Sequence, residues 1–389
     1  MPTVSEGIDR FLADPRAFLN GGPMGVLAHG ASCDRNFTHV VDGMLQAGLP
    51  LTSIFSPEHG LFGAAQDMEG VHSSSYRGLP VISLYGDSVE SLSPNAAHLQ
   101  DLKWLVIDLR DVGSRYYTYV WTALMAARQA LSAGCKVLML DRVNILGGET
   151  MEGNLVKEGF FSFVGYRSVP VRHALTGAEL VGVFLRAEEG LSLTDFHVVP
   201  VQGWDRSLWF DQCGMPFILP SPNMPTLDTA VVYPGMCLLE GTNLSEGRGT
   251  TRPFEIFGAP FVNGDQLVKE LGDVDGAVLR PLVFKPTFQK WAGEVCGGAQ
   301  IHVTSRDRFR SWEFALRIVA TVARLWPTEF AWREKAYEFV RDVPAFDLLC
   351  GDPRYREYIE AGKDLSALLE EDSVPRADWF DQVADSLLY

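Results

Sequence analysis

The sequence has no closely spaced cysteines. Its six cysteines are scattered and none forms a Cys-x-x-Cys pair, which argues against a zinc ribbon or a thioredoxin-like redox site. Cys135 and Cys237 lie among apolar residues and are typical of buried free thiols. A chain of 389 residues can bury a large core, so we expect no disulfide framework.

Basic residues are also scarce. Lys and Arg number 33 against 49 Asp and Glu, which gives a net charge of −16 and an isoelectric point near 4.9. This balance argues against a protein that binds nucleic acid or an anionic membrane, because such surfaces need excess positive charge. We therefore expect a small-molecule substrate, which can be anionic if a local arginine cluster faces it. The sequence leaves the oligomeric state open.

Long apolar runs and phosphate-binding glycine motifs are missing as well. No run is long enough to span a bilayer, and the first residues show no signal peptide, so we expect a cytoplasmic protein, although a trimmed sequence would hide an export signal. No G-x-G-x-x-G follows the first predicted strand, and Gly247-x-Gly249 is not followed by the Lys-Ser/Thr of a P-loop. Nucleotide binding therefore has little support.

Short apolar runs alternate with helix-like segments in the first half of the chain. Predicted strands cover residues 24–28, 51–55, 80–84, 104–109, 136–140 and 195–201, and predicted helices cover 36–47, 93–101, 116–133 and 176–186. This order predicts an α/β fold with a mostly parallel sheet in residues 1–260. Residues 220–260 are predicted to be loop-rich. Residues 261–389 are predicted to form a smaller α/β domain, with strands at 278–285 and 298–303 and helices at 264–271, 309–325, 329–339, 364–369 and 377–387.

Polar residues follow the predicted strands where ligands bind in open α/β sheets. They are His29, Glu58, Tyr85 with Asp87, residues 110–115 and residues 141–144. Glu58 and His59 lie in a Pro-Glu-His-Gly turn, where an acid and an imidazole are placed for proton transfer. The alternative is that Glu58 caps the next element and His59 packs.

Two further stretches combine arginines with other polar or aromatic groups. In residues 108–119, Arg110 and Arg115 can hold a carboxylate, and Tyr117 and Tyr119 can stack on a sugar; the alternative is a structural ion pair with core tyrosines. Residues 240–255 hold three carboxylates, two arginines and three glycines, a density that a purely structural loop seldom needs.

Seven collinear motifs resemble the NamZ-type exo-β-N-acetylmuramidases, formerly a domain family of unknown function. They lie at residues 55–60, 83–86, 108–119, 141–144, 170–173, 220–225 and 240–250. The resemblance implies a Rossmann-like domain and a smaller domain, with the active site in the cleft between them. It also implies hydrolysis that releases non-reducing-end N-acetylmuramic acid from peptidoglycan fragments. Ala28-His29 and Val143 differ from the usual family residues, which leaves room for a related sugar.

On this resemblance Glu58 is the expected acid/base. The second group is Glu240, Glu246 or the substrate's own acetamido group, and Arg115 and Arg248 are candidates for the lactyl carboxylate of the sugar. Such a glycosidase needs no metal and no other cofactor. The remaining expected substrate-binding residues are His29, His59, Arg110, Tyr117, Tyr119, Asn223 and Asn243.

Two other functions remain open from the sequence. A metal-dependent hydrolase could draw ligands from His29, Glu58, His59, His72 and Asp108, although no fixed ligand spacing such as His-Glu-x-x-His is present. A sugar-binding protein without catalysis is the other alternative, and it would not need a protonatable acid at Glu58.

Overall fold

The computed structural model describes residues 4–66, 69–86 and 88–389. A seven-stranded sheet dominates the first half, in the order β3-β4-β2-β1-β5-β6-β7. Its strands are β1 (Met24–Ala28), β2 (Leu51–Ser56), β3 (Ser74–Tyr76), β4 (Leu79–Ser83), β5 (Trp104–Asp108), β6 (Lys136–Leu140) and β7 (Phe196–Val199). All neighbouring pairs are parallel except β3 with β4. The predicted α/β class with a mostly parallel sheet is thereby confirmed.

A second sheet has three antiparallel strands in the order β8-β10-β9. They are β8 (Ile256–Ala259), β9 (Ala277–Phe284) and β10 (Cys296–Val303). Because β8 precedes residue 260, this small sheet draws on both sides of the predicted domain boundary, which itself stays a prediction.

The helices cover the sheets and join them. They are α1 (Gly7–Ala13), α2 (Val40–Gln46), α3 (Ala96–Leu99), α4 (Tyr119–Ser132), α5 (Gly177–Arg186), α6 (Leu227–Met236), α7 (Gly264–Leu271), α8 (Ser311–Leu325), α9 (Ala345–Cys350), α10 (Arg354–Glu360), α11 (Ser366–Glu371) and α12 (Ser373–Val383). Among the described residues, no helix is both long and apolar enough to cross a membrane.

The central strands follow directly from their composition. Every residue of β1 and β5 is buried, as expected for parallel strands covered on both faces. β1 lies between β2 and β5, and its Leu27 pairs with Phe55 on one side and Ile107 on the other. The carboxyl ends of these strands therefore meet at one edge, where Glu58 and the residues after Asp108 emerge.

The stretch at residues 220–260 contains more regular structure than the loop-rich prediction implied. Residues 220–260 contain α6, a 3₁₀ helix (Cys237–Gly241) and β8 between their loops. α6 packs closely on the start of α8, since a Cβ added to Gly235 would lie 1.9 Å from the Ser311 carbonyl oxygen. Glycine at this position, which has no Cβ, lets the two helices approach this closely.

The helix predicted at residues 329–339 is wrong. The chain there is irregular, and its amides pair with a distant segment: Ala331 accepts from the Asn243 N–H at 2.9 Å, and Arg333 donates to the Gly241 carbonyl at 2.9 Å. Glu338 and Phe339 have φ angles of 46° and 69°, which a right-handed helix does not allow. Tertiary pairing thus overrides the apolar spacing that indicated a helix.

Candidate active site

Glu58 lies just beyond the carboxyl end of β2. Its turn is closed by two residues with positive φ, His59 at 67° and Gly60 at 76°. The Thr118 hydroxyl donates to Glu58 Oε2 at 2.8 Å, and the Tyr119 hydroxyl donates to the Glu58 backbone carbonyl at 3.1 Å. The side chain is 5% exposed, so it is nearly buried and held by two residues that begin α4.

A small pocket of about 30 Å³ surrounds this carboxylate. It is lined from the large-sheet loops, from the chain around α6 and β8, and from the irregular segment between α8 and α9. The lining residues are Glu58, His59, Tyr116, Tyr117, Thr118, Tyr119, Val164, Ser221, Asn223, Met224, Tyr233, Glu240, Arg248, Phe254, Tyr337 and Glu338. Residues far apart in the sequence therefore converge on Glu58.

Glu240 is a second carboxylate in this pocket, and its surroundings are different. It accepts from Arg248 Nη2 at 2.7 Å and from the Tyr337 hydroxyl at 2.6 Å. Burial alone would raise its pKa, but the charge and hydrogen bond of Arg248, helped by the Tyr337 hydroxyl, hold the pKa below its ordinary value. Glu240 is therefore ionised at neutral pH.

Glu246, the other sequence candidate for the second carboxylate, does not line the pocket. It accepts from Lys290 Nζ at 2.9 Å and lies 3.4 Å from Arg248 Nε. Lys290 also donates to the carbonyls of Leu239 and Leu244. Glu246 and Lys290 therefore stabilise the conformation of residues 239–246.

Arg248 brings positive charge to the pocket. Among the described lining residues, it is the one Lys or Arg. Its guanidinium lies over the Phe254 ring, 5.1 Å from the centroid, and one edge is bonded to Glu240. The stacking and the ion pair fix its plane, which suits recognition of a carboxylate.

Aromatic rings form one wall of the pocket. Tyr117 packs against Tyr119 at 4.8 Å and Tyr233 at 6.1 Å, and Tyr233 packs against Phe254 at 4.8 Å. Burial raises the pKa of Tyr117, Tyr119 and Tyr233, so all three phenols are neutral. Such a wall presents flat apolar faces with hydroxyl groups at their rims, as a pyranose ring requires.

His59 and Asn223 also line the pocket, and each is tied to the segment that follows Glu58. His59 Nδ1 lies 2.9 Å from the Ala65 carbonyl, so this nitrogen carries the proton when it donates there. Asn223 donates to Gln66 Oε1 at 3.0 Å. These two bonds connect the Glu58 turn with the loop before α6.

Arg115 is not among the lining residues, in contrast to its predicted role. It is fully buried, and its guanidinium donates to four backbone carbonyls: Asn154 at 2.6 Å, Val169 at 3.0 Å, Leu349 at 2.9 Å and Cys350 at 2.6 Å. Through these bonds Arg115 joins the chain at Asn154 and Val169 to α9.

His29 and Arg110 lie beneath the pocket in a buried polar network. His29 Nδ1 donates to the Pro220 carbonyl at 3.2 Å, and Nε2 accepts from the Arg110 backbone N–H at 3.1 Å. Burial lowers the pKa of His29, so it is neutral, as these two bonds require. The Arg110 side chain pairs with Glu6 at 2.6 Å, and Glu6 also pairs with Arg142 at 2.7 Å. The structure thus gives both predicted binding residues a structural environment.

Asn243 is likewise separate from the pocket. Its side chain donates to the Glu329 carbonyl at 2.8 Å and accepts from the Ala331 N–H at 3.1 Å. These bonds hold the chain that leads into residues 331–340, so Asn243 contributes to the site by stabilising that segment.

The donors expected for a metal ion are dispersed or already used. Both Asp108 carboxylate oxygens accept from Arg142 at 2.7 Å, and both ring nitrogens of His29 are engaged. Within residues 4–66, 69–86 and 88–389, no three His, Cys, Asp or Glu side chains are grouped so that they could hold a metal ion.

Several lining residues were not predicted from the sequence. Thr118 and Ser221 lie inside the motifs at residues 108–119 and 220–225, so these motifs could have identified their hydroxyl groups as candidate site groups. Tyr233 lies in the stretch predicted to be loop-rich, and Tyr337 and Glu338 lie in the wrongly predicted helix.

A second, much larger surface groove of about 920 Å³ lies between α8 and α10–α11, and its lining contains none of the carboxylates of this pocket.

Comparisons with known proteins agree with this architecture. Family models for the N-terminal and C-terminal parts of the exo-β-N-acetylmuramidase NamZ match residues 24–228 and 231–389. The peptidoglycan β-N-acetylmuramidase NamZ of Bacillus subtilis is 37% identical over 373 residues, which cover 95% of this chain and 87% of that protein.

Two crystal structures of DUF1343 family proteins from Bacteroides fragilis are also similar. One matches with a TM-score of 0.87 at 28% identity, over 100% of both chains. The other matches with a TM-score of 0.73 at 24% identity, over 99% of both chains, and supports the fold alone. The family models and the Bacillus relative together establish that the chain belongs to the NamZ family of exo-β-N-acetylmuramidases.

Proposed function

We propose that this protein is an exo-β-N-acetylmuramidase, a glycoside hydrolase that releases N-acetylmuramic acid from the non-reducing end of peptidoglycan fragments. The observation that carries the proposal is the pairing of two carboxylates in one pocket with different partners. Among the described residues, the Glu58 carboxylate accepts from the Thr118 hydroxyl, whereas the Glu240 carboxylate is held by a guanidinium and a phenol. Enzymes separate acid and base roles in this way, through the environment of each carboxyl group.

In this reaction Glu58 acts as the general acid. It donates its proton to the glycosidic oxygen as the bond to the anomeric carbon breaks, and the leaving sugar departs as an alcohol. Thr118 holds Glu58 Oε2, which leaves the other oxygen for the glycosidic bond. Water supplies the hydroxyl group of the released sugar, and the proton of that water restores Glu58.

Glu240 stabilises the positive charge that develops at the anomeric carbon. Because Arg248 and Tyr337 keep it ionised and oriented, its negative charge is available before the substrate reacts. Glu246, which is tied to Lys290 outside the pocket, has no part in this step.

Recognition of muramic acid rests on the same pocket. Arg248 supplies the cation for the lactyl carboxylate, which distinguishes N-acetylmuramic acid from N-acetylglucosamine, and the Tyr117–Tyr233 wall packs on the ring. Asn223 and His59 offer polar groups for the acetamido and hydroxyl substituents. We also propose a cytoplasmic location, as the sequence predicts.

The direct test is hydrolysis of two chromogenic substrates by the purified protein. We expect para-nitrophenyl β-N-acetylmuramide to be cleaved and the matching N-acetylglucosaminide to be cleaved at least tenfold more slowly. Equal cleavage of the two would contradict muramic specificity. Binding of N-acetylmuramic acid without any cleavage would favour a sugar-binding protein.

A further inference from the structure

A strained turn forms part of the pocket wall, through Tyr337 and Glu338. Tyr337 and Val340 exchange both backbone hydrogen bonds, at 3.0 and 2.9 Å, which encloses Glu338 and Phe339 in a two-residue turn. Both enclosed residues have positive φ, 46° and 69°. Turns of this kind favour Asn-Gly, because larger side chains are disfavoured in the left-handed region. The Glu-Phe sequence must therefore be held in place by its contacts.

Three of those contacts reach the pocket or its rim. The Tyr337 hydroxyl donates to Glu240 Oε2 at 2.6 Å, and the Tyr85 hydroxyl donates to Glu338 Oε2 at 3.3 Å. The Phe339 ring meets the Tyr85 ring edge-on at 5.9 Å. The turn therefore joins the loop after β4 to the 3₁₀ helix that carries Glu240.

The pocket beneath the turn is too small for a sugar. Its volume of about 30 Å³ is far below the roughly 300–1,000 Å³ that ligand pockets usually measure. Some part of the wall must move before a pyranose ring can enter.

The 337–340 turn is a wall segment suited to move. It lies on irregular chain between α8 and α9, fastened before the turn by the Arg333 N–H to the Gly241 carbonyl. Tyr119 and Tyr233, by comparison, line the pocket from helices α4 and α6. Backbone strain at a binding site is a common sign of a segment with two arrangements.

We infer that the 337–340 turn opens to admit the sugar, and that Tyr337 is a positioning residue that orients Glu240 when the turn closes. The inference rests on the proposed function, because it assigns Tyr337 a role only through Glu240. In the described structure the turn is closed and Glu240 is held by both Arg248 and Tyr337. Opening of the turn would release the Tyr337 bond, and closure over the bound sugar would restore it.

A matched pair of phenylalanine variants tests the positioning role. Tyr337→Phe removes the hydroxyl that holds Glu240, and Tyr355→Phe removes a buried hydroxyl that donates to Asp372 outside the pocket. We expect Tyr337→Phe to lower kcat on the muramide at least tenfold with little change in KM. The acidic limb of its pH–rate profile should move to higher pH, because an ionised carboxylate has lost a donor.

Tyr355→Phe should change thermal stability and leave the pH–rate profile as in the wild type. If Tyr337→Phe keeps the wild-type kcat and acidic limb, the positioning role is refuted. Loss of activity in Tyr337→Phe with an unmoved acidic limb and a raised KM would also refute it, since that pattern indicates direct contact with the sugar.

Hydrogen exchange tests the opening without any need for activity. The amides of Tyr337 and Val340 are bonded only when the turn is closed, so their exchange reports its opening. We expect these amides to exchange faster than those of α8 and to be slowed by saturating N-acetylmuramic acid. Exchange as slow as in α8, with and without the sugar, would refute the opening. Failure of the wild type to cleave the muramide would instead count against the proposed function.

Discussion

The Thr118 hydroxyl donates to Glu58 Oε2 at 2.8 Å, and the two residues are 60 positions apart in the chain. This bond joins the turn after β2 to the start of α4, and the neighbouring Tyr119 reinforces it by donating to the Glu58 carbonyl. Glu58, the proposed catalytic acid, is thus fixed by the turn after β2 and the start of α4, while Glu240 and Arg248 reach the pocket from the chain beyond α6.

Glu58→Gln should abolish most turnover of the muramide and leave folding intact. The amide keeps the shape and can still accept from Thr118, but it cannot supply a proton, so we expect kcat to fall about 10²–10⁴-fold. Glu246→Gln is the matched control, because it alters a buried glutamate of the same neighbourhood that does not line the pocket. Steady-state kinetics with both variants decide the point. Near-wild-type kcat in Glu58→Gln would show that another group donates the proton.

Arg248 and Arg115 should behave differently when each is replaced by alanine. Arg248→Ala removes the cation of the pocket, so its kcat/KM should fall roughly 10- to 100-fold more on the muramide than on the glucosaminide. The comparison of the two substrates separates loss of carboxylate binding from loss of Glu240 orientation, which affects both sugars equally.

Arg115→Ala should instead destabilise the protein without changing the preference between the sugars. It leaves buried carbonyls without their donors, Leu349 and Cys350 among them, and we expect a loss of about 3–5 kcal/mol in the free energy of unfolding. Urea unfolding measures this loss. A muramide-selective defect in a fully stable Arg115→Ala protein would contradict the structural role.

The sequence predicted the elements that local composition determines. It failed where contacts with distant residues determine the structure or the role of a side chain. β1 and β6 were predicted with the observed bounds because buried parallel strands are continuous apolar runs. Glu58 could be selected because its strand, turn and motif are local. The partners of Arg115 lie as far away in the sequence as Cys350. No local pattern could therefore distinguish a buried structural arginine from one that binds a ligand.

Activity should survive prolonged treatment with EDTA. The groups that a metal-dependent hydrolase would need are already bonded: Asp108 to Arg142 through both oxygens, and His29 to Pro220 and the Arg110 N–H. A mechanism that uses Glu58 and Glu240 requires no metal. The assay is muramide hydrolysis before and after dialysis against the chelator. Loss of activity that one divalent cation restores would favour the metal-dependent alternative.

The stability of the protein should fall as the pH rises toward neutrality because of Asp141. This side chain is 1% exposed at the end of β6, and burial raises its pKa to about 7, although Tyr389, Ala178 and Thr176 donate to it. The unfolded chain titrates at the ordinary value of 3.8, so between about pH 4 and 7 the folded state holds more protons than the unfolded state.

The stabilisation from protonated Asp141 is therefore complete below about pH 4 and is lost as the pH rises through 7. Asp141→Asn cannot titrate, so its free energy of unfolding should change less between pH 5 and 8 than that of the wild type, even though the amide is a poorer acceptor and lowers stability at every pH. Asp211→Asn, at an exposed ion pair with Arg306, should keep the wild-type pH dependence. Urea titrations of the three proteins at pH 5, 6.5 and 8 provide the comparison. Parallel pH curves for the wild type and Asp141→Asn would mean that Asp141 is already ionised in the folded protein at pH 5.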